Sequence, residues 1–268
     1  DIIFLENRQG SSKSLYQNMG RCYRRLVVPR ILPKCRKIIT VSHFECNRIR
    51  ETLHLPENKI MAIYNGFSNH FQPLDNIETV IQKYIPVTGY LFFLGNTDPK
   101  KNTPRTLKAY YSYLQQSKEK RPLLIADLKP EFVDEMLKET GLENIRPYLY
   151  LLGYIPNTDL PFIYNGAFAF LYTSLRESFG IPLLEAMACG IPVITSDTSS
   201  MPEIGGEGAI LTDPTDERSI AAQLLLLEQD KEYYQKQSAY GLERAKCFSW
   251  EQTACELLKL YQSTVKSK

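Results

Sequence analysis

Glu177-Ser178-Phe179-Gly180-Ile181-Pro182-Leu183-Leu184-Glu185, continued by Ala186-Met187-Ala188-Cys189-Gly190, is the stretch whose reading decides the fold. The apolar run Phe168 to Tyr172 ends just before it. A short run without polar alternation suits a strand buried on both faces. Gly180 permits a tight turn and close backbone approach. Pro182 fits the first turn of a helix, and Gly190 stops that helix. The segment reads as strand, glycine turn and helix N-terminus at the carboxyl edge of a parallel sheet. Backbone amides near Gly180 and Ile181 then face an anion-sized space. Glu177 precedes the turn and Glu185 lies about one turn inside the helix, so two carboxylates flank that space. Both would repel a diphosphate. Their natural partners are sugar hydroxyls on either side of it, which donate to carboxylate oxygens. Either glutamate alone reads as a solvated side chain; the joint placement after a buried strand carries the functional reading.

Outward from this stretch, apolar runs recur at Tyr90 to Leu94, Leu123 to Ala126, Tyr148 to Leu152, Pro192 to Thr195 and Ala209 to Leu211. Helical stripes lie between them: Leu107, Tyr110, Tyr111 and Leu114 in one, Ile220, Leu224 and Leu227 in another. Strands alternating with helices imply right-handed crossovers and a doubly wound α/β sheet. Residues 88–247 therefore read as a complete Rossmann-like lobe with a six-strand parallel sheet. After its first strand comes Leu94-Gly95-Asn96-Thr97-Asp98-Pro99-Lys100-Lys101-Asn102. Asn102 or Thr103 can cap the next helix, with Pro104 at its start. A glycine turn and two lysines at a helix N-terminus fit a diphosphate, although lysines alone more often mark a solvated loop. The GxGxxG fingerprint of nicotinamide binding is absent.

The front of the chain reads as part of a second α/β lobe, residues 1–72. Leu15 to Leu32 looks helical, with a kink or break expected at Pro29. Ile38 to Val41 and Ile60 to Ile63 read as strands. Ser42 with Glu45 forms a capping box for a helix to about Leu53. Asn65-Gly66 reads as a turn, and 72–88, with Pro73 and Pro86, as a linker. A final helix, 250–268, carries the stripe Trp250, Ala254, Leu257, Leu258, Tyr261 and Val265, which would pack back on the front lobe.

Composition narrows the function. Of 268 residues, 43% are hydrophobic and 23% charged, which excludes disorder. A formal net charge of +2 speaks against a nucleic-acid coat, so no nucleic-acid partner is expected. No run approaches the roughly eighteen residues of a membrane helix. Six cysteines without a CxxC pair suggest reduced thiols and a cytoplasmic location. No Asp-x-Asp motif or His/Cys cluster marks a metal, and no cofactor is expected. The chain starts at Asp1 without a signal peptide, which reads as a fragment or processed product. Arg21, Arg24, Arg25, Arg30, Lys34, Arg36 and Lys37 occur with no acid between them. They read as a solvated face or as a peripheral contact with anionic lipid at the inner face of a membrane.

Taken together, the residues resemble the family-four retaining glycosyltransferases, which have two facing Rossmann-like lobes (the GT-B fold). The resemblance runs through Ile38 to Ser42, Tyr64-Asn65-Gly66, Gly95 to Asn102, Gly153-Tyr154-Ile155-Pro156, Glu177 to Glu185, Ala186 to Pro192, Ser200-Met201-Pro202-Glu203 and Phe248-Ser249-Trp250. It implies a hexosyltransferase working from a nucleotide-diphosphate sugar, GDP-mannose or a UDP-sugar, onto a glycan or lipid-linked acceptor in cell-surface polysaccharide synthesis. The reaction would retain anomeric configuration without a metal. By the same resemblance, Glu177 contacts the transferred sugar, and Phe179, Gly180 and Ile181 hold sugar and diphosphate through the backbone. Glu185 binds ribose, Lys101 neutralises the diphosphate, and Tyr154 and Ile155 lie against the base. Many members carry arginine directly after the first strand's glycine. Here Asn96 follows Gly95, and Lys100 supplies the second positive charge, as in the mannosyltransferase-like branch. The front lobe would supply the acceptor side. Asp1 would be the aspartate of the family's histidine–aspartate pair, leaving the histidine outside the chain, so that this chain binds donor without turnover. The alternatives are a nucleotide-sugar epimerase of the same fold, or a truncated, non-catalytic nucleotide-sugar-binding module.

Overall fold

The computed structural model describes residues 2–6 and 15–266; Asp1 lies outside them. The chain divides into two compact units, Asp1–Gly66 with Trp250–Lys268, and Phe67–Ser249.

In the first unit, α1 (Leu15–Ile31), β1 (Ile38–Thr40), α2 (His43–Leu53) and β2 (Ile60–Ala62) follow in order. β1 and β2 pair in parallel, Ile38 opposite Ile60. Ile2, Phe4, Ile38, Cys46, Ile49, Leu55 and Ile60 form the core of this unit. Ser42 caps α2 as expected, its hydroxyl accepting from the Glu45 amide at 3.2 Å. Pro29 does not break α1. It falls two residues from the helix end, where the missing N–H removes a single rung, and a 3-10 turn, Leu32–Lys34, takes up the exit. Asn65-Gly66 is not a turn. The Ile63 amide extends the sheet ladder onto Thr40 O (2.9 Å), and the chain turns only at Asn69-His70.

Most of the basic run is exposed, at Arg24, Arg25, Arg30, Lys34, Arg36 and Lys37, and part of it also contacts the start of the chain. Arg21 and Arg25 reach back to the carbonyls of Glu6 and Leu5, and Arg24 sits over the Phe4 ring. Apolar side chains share the exposed surface of α1 with these arginines, Met19 being 71%, Tyr23 65% and Leu26 54% exposed.

The second unit carries α3 (Glu78–Ile81), β3 (Tyr90–Leu94), α4 (Thr103–Gln116), β4 (Leu123–Ala126), α5 (Pro130–Thr140), β5 (Leu149–Gly153) and α6 (Leu160–Gly166). It continues with β6 (Ala167–Tyr172), α7 (Ile181–Ala188), β7 (Val193–Ser196), α8 (Met201–Gly205), β8 (Ile210–Thr212), α9 (Glu217–Gln229) and α10 (Lys231–Ala245). The six strands run in the order β5-β4-β3-β6-β7-β8, all parallel. The order reverses between β3 and β6, the switch point at which such sheets bind ligands. Tyr90 to Phe93 are 0–1% exposed, which explains why these strands read as continuous apolar runs. Burying each such side chain contributes roughly 1.5–3 kcal/mol, so the two central strands are the rigid base from which the site loops leave. Residues 72–88 are not a free linker. The Leu74 amide donates to Asn165 Oδ1 (2.9 Å), Tyr84 Oη donates to Asp159 (2.7 Å), and Ile81 and Ile85 are buried.

The last helix, α11 (Trp250–Lys266), belongs with the first unit. Most of its expected inward stripe faces outward: Trp250, Ala254, Leu258, Tyr261 and Val265 are exposed, and only Leu257 of the stripe is half-buried. Leu260 is buried instead, and Thr253 Oγ1 donates to Tyr64 O. Apolar periodicity selected the larger side chains, whereas the packed face is set by a threonine hydroxyl with a carbonyl to meet.

Candidate active site

Two loops leave the sheet at the switch point, one after β3 and one after β6. The β3 loop begins at Gly95, where a Cβ would lie 2.3 Å from Leu128 Cδ1, so no other residue fits without displacing the β4 exit. Asn96 then folds on its own loop: its Oδ1 accepts from the Asp98 amide (2.9 Å), and its carbonyl accepts from Thr103 Oγ1 (2.8 Å). The Pro99–Lys101 turn presents Lys100 and Lys101. Asn102 occupies the N-cap position of α4 without capping through its side chain. Its Nδ2 instead donates to Thr173 O (3.0 Å) and Pro214 O (2.7 Å), tying the β3 loop to the β6 loop.

The β6 loop carries Glu177. Lys101 Nζ donates to Glu177 Oε1 at 2.7 Å, with side-chain exposures of 21% and 13%. The same ammonium lies 5.0 Å from the centroid of the Tyr172 ring, and the Tyr172 phenol feels the charge of Glu177. Burial first, then the charge of Glu177, holds that phenol well above its ordinary pKa, so it stays a donor. Tyr172 thus lies beside both cation and carboxylate. Asp127, in the left-handed region after β4 (φ 61), feels the charge of Lys101 as well.

Beyond Glu177 the chain turns at Gly180 (φ 102) and enters α7. Gly180 brings no side chain to the first-turn amides, which leaves the positive end of the helix for an anion. Phe179 is 4% exposed and packs edge-to-face on Phe248, so its side chain anchors the turn. Glu185 is mostly buried on α7, with Tyr164 Oη donating to Oε2 at 3.3 Å. Burial raises its carboxyl to about 7, while the tyrosine bond pulls it down. Tyr164 is itself fixed by edge-to-face contacts with Phe92 and Phe170, both 5.2 Å between centroids.

The structure therefore brings Lys101, Glu177 and Tyr172 together, with Gly95, Lys100, Gly180 and Ile181 on the same two loops. Tyr154 and Ile155 follow β5, two strands from β3, or about 10 Å across the sheet. Tyr154 is 75% exposed, whereas the Ile155 side chain is buried and offers only backbone. Among the described residues no group of three His, Cys, Asp or Glu side chains could hold a metal ion, and no disulfide joins any of the six cysteines.

Sequence reasoning missed three participants. Tyr172 reads in the sequence only as the end of an apolar strand, and Asp127 carries no reading of its own. Of the run Thr195-Ser196-Asp197-Thr198-Ser199-Ser200 the sequence reading uses only Thr195, as a strand end, and Ser200, within the resemblance, although its density of hydroxyls beside the carboxyl edge of a sheet is a signal for side chains that hold a loop.

A doubly wound sheet with a cation and a carboxylate paired at its switch point defines a Rossmann-like ligand-binding lobe. The chain belongs to the family of glycosyl transferases group 1, whose profile matches residues 85–244. It is 33% identical over 235 residues to the O-antigen chain mannosyltransferase B of Escherichia coli, a match covering 86% of this chain and 61% of that protein. The chain thus spans somewhat under two thirds of that relative's length. Among solved structures, sucrose-phosphate synthase from Thermosynechococcus elongatus superposes with a TM-score of 0.76 at 22% identity, covering 92% of this chain and 62% of the other. HepE from Anabaena, in complex with UDP and glucose, gives a TM-score of 0.76 at 19% identity, covering 89% and 66%. At these identities the two structures report the fold.

Proposed function

We propose that the protein of which this chain is part transfers a hexosyl group from a nucleotide-diphosphate sugar, GDP-mannose or a UDP-sugar, to a glycan or lipid-linked acceptor in cell-surface polysaccharide synthesis. The observation that carries this reading is the Lys101–Glu177 pair at the switch point, beside the open N-terminus of α7. On this reading the diphosphate lies between Lys101, Lys100 and the Gly180–Ile181 backbone, and Glu177 receives the hydroxyls of the transferred sugar. Glu185 receives the ribose, and Tyr154 lies beside the base. The departing diphosphate develops negative charge, which Lys101 and the helix amides stabilise in place of a metal. Retention follows if the leaving phosphate takes the acceptor's proton on the face it departs from. The mannosyltransferase names of the relatives and the UDP and glucose bound to HepE support a nucleotide-sugar donor. They do not favour the epimerase alternative.

The test is calorimetry and thermal shift with GDP, UDP, GDP-mannose and UDP-glucose in the presence of chelator, since a ligand stabilises by mass action. Binding that requires magnesium or manganese overturns the metal-independent reading. No binding of any of the four overturns the donor site.

For α1 we propose peripheral contact with anionic lipid, favoured by exposed Met19, Tyr23 and Leu26 beside Arg30. Among the described residues no helix is long and apolar enough to cross a membrane. Sedimentation with phosphatidylglycerol vesicles, lost in pure phosphatidylcholine and in high salt, is the expected result; equal binding to both lipids would remove the arginines from the account.

A further inference from the structure

The loop that carries Glu177 leaves β6 at Tyr172 and enters α7 at Ile181 without secondary structure of its own. Its backbone polar groups need partners all the same. On one side they find the β3 loop: Asn102 Nδ2 takes Thr173 O, and the Leu175 amide donates to Lys100 O at 2.7 Å. On the other side runs the chain from Thr195 to Ser200. Tyr172 opposite Thr195 is the last register pair of β6 and β7. Beyond it side-chain hydroxyls take over as the loop's partners. Thr195 Oγ1 donates to Tyr172 O (2.8 Å), Ser196 Oγ to Ser174 O (2.6 Å) and Thr198 Oγ1 to Leu175 O (3.4 Å). Ser199 Oγ accepts from the Glu177 amide (3.1 Å). Ser200 Oγ donates to Glu177 O (3.0 Å) and lies 3.2 Å from Phe179 O.

We propose that Ser199 and Ser200 are positioning residues for Glu177, holding its backbone from both sides so that its carboxylate stays at Lys101. Adjacent serines grip the amide and the carbonyl of the same residue, a pairing that loop packing alone does not require. Ser200 is 0% exposed, so its hydroxyl has no water to exchange with. Ser199 sits in the left-handed region (φ 56), and that strained backbone turns its hydroxyl onto the Glu177 amide. A functional carboxylate needs its place held within about 0.5 Å. Arg176 Nη1 also reaches the Glu177 carbonyl (2.9 Å), but from within the same loop, whereas the two serines tie residue 177 to the chain beyond β7. The proposal rests on the reading of Lys101 and Glu177 as donor-site groups.

The variants are Ser199→Gly, which suits the left-handed backbone and removes only the hydroxyl, and Ser200→Ala. Ser117→Ala, a buried hydroxyl bonded to Glu228 elsewhere in the same unit, controls for loss of stability. Titrations use GDP against GDP-mannose and UDP against UDP-glucose. The expected result is that affinity for the bare nucleotide does not fall, while the preference for the sugar-bearing form falls at least fivefold, to the Glu177→Gln value, in both serine variants. It should not fall further when Glu177→Gln is added to either. Ser117→Ala should keep the parent preference. Serine variants that keep the preference, or that lose bare nucleotide and sugar nucleotide alike, overturn the proposal. If the parent binds none of the four ligands, the donor reading fails, and a second measurement still decides the positioning. The coupling between Lys101→Met and Glu177→Gln, taken from a thermal double-mutant cycle, should be present in the parent and absent in Ser200→Ala. Coupling undiminished in that variant overturns the proposal.

Discussion

Lys101 and Glu177, 76 residues apart in sequence, meet at 2.7 Å between ammonium and carboxylate. The cation assigned to the diphosphate and the carboxylate assigned to the sugar therefore satisfy each other, and an incoming diphosphate competes with Glu177 for Lys101. Glu177→Gln removes that competitor. The expected outcome is bare GDP or UDP bound a few-fold more tightly at low salt, since a partly screened pair is worth roughly 0.2–1 kcal/mol. The nucleotide sugar loses a charged acceptor worth roughly 1–3 kcal/mol. Paired titrations check both signs, and equal weakening of the two ligands would separate Glu177 from the sugar.

Lys101→Ala, made in the intact enzyme, should lower turnover far more than donor affinity. A charge aimed at a leaving group counts most as the negative charge develops. Loss of one such donor costs on the order of 10²–10³-fold in kcat. Steady-state kinetics with saturating nucleotide sugar is the measurement. An unchanged kcat would leave Lys101 as the partner of Glu177 and nothing more.

Gly180→Ala tests the turn that opens α7. At φ 102 any side chain is strained, and a Cβ would stand 2.7 Å from Met201 Cε. Strain of this kind costs about 1–3 kcal/mol, which corresponds to roughly 2–12 °C in Tm for a unit of this size. Because Met201 is flexible, the helix should survive on circular dichroism while nucleotide binding weakens through displaced amides. Unchanged binding in a destabilised variant would mean that no anion uses this N-terminus.

The sheet was legible because its strands are buried on both faces, so Tyr90 to Leu94 and Phe168 to Tyr172 leave nothing but apolar letters. Gly180, Pro182 and Gly190 were legible because each has a backbone reason to stand where it does. Lys101 and Glu177 could be named singly, but their ion pair could not, because it depends on how two loops from non-consecutive strands cross at the switch point. Tyr172 escaped because its ring reads as core while its phenol works at the edge. The α11 stripe misled because a helix with apolar side chains on two sides gives no rule for which side is covered. The loop-holding role of the hydroxyls in 195–200 was not legible for a simpler reason: serines and threonines show no task until the carbonyls they serve are in view.

Glu185 provides the pH test. Its folded-state carboxyl titrates near 7, against an ordinary 4.5, chiefly because burial disfavours the charge. Between those two values the folded chain holds a proton that the unfolded chain has released. Stability therefore declines as pH rises from about 4.5 to about 7 and is level above that. Glu185→Gln carries no such proton, so its Tm curve should lack this decline and stand above the parent at pH 8. Asp159 and Asp213 are held below their ordinary pKa, first by hydrogen bonds from Tyr84 and Thr215. What they contribute is lost as pH falls at more acid values, outside this window and equally in both proteins. Ribose hydroxyls need the ionised carboxylate, so GDP and UDP affinity in the parent should fall as pH drops below 7, approaching tenfold per unit for one linked proton. In Glu185→Gln the affinity should be weaker at pH 8 and fall less steeply with acidification, keeping only the share owed to the ligand's own terminal phosphate, which titrates at about 6. Calorimetry at pH 5.5, 6.5 and 8 separates the two roles: a parent whose stability shows the slope while its nucleotide affinity falls no more steeply than the variant's would make Glu185 a buried acid that never touches the ribose.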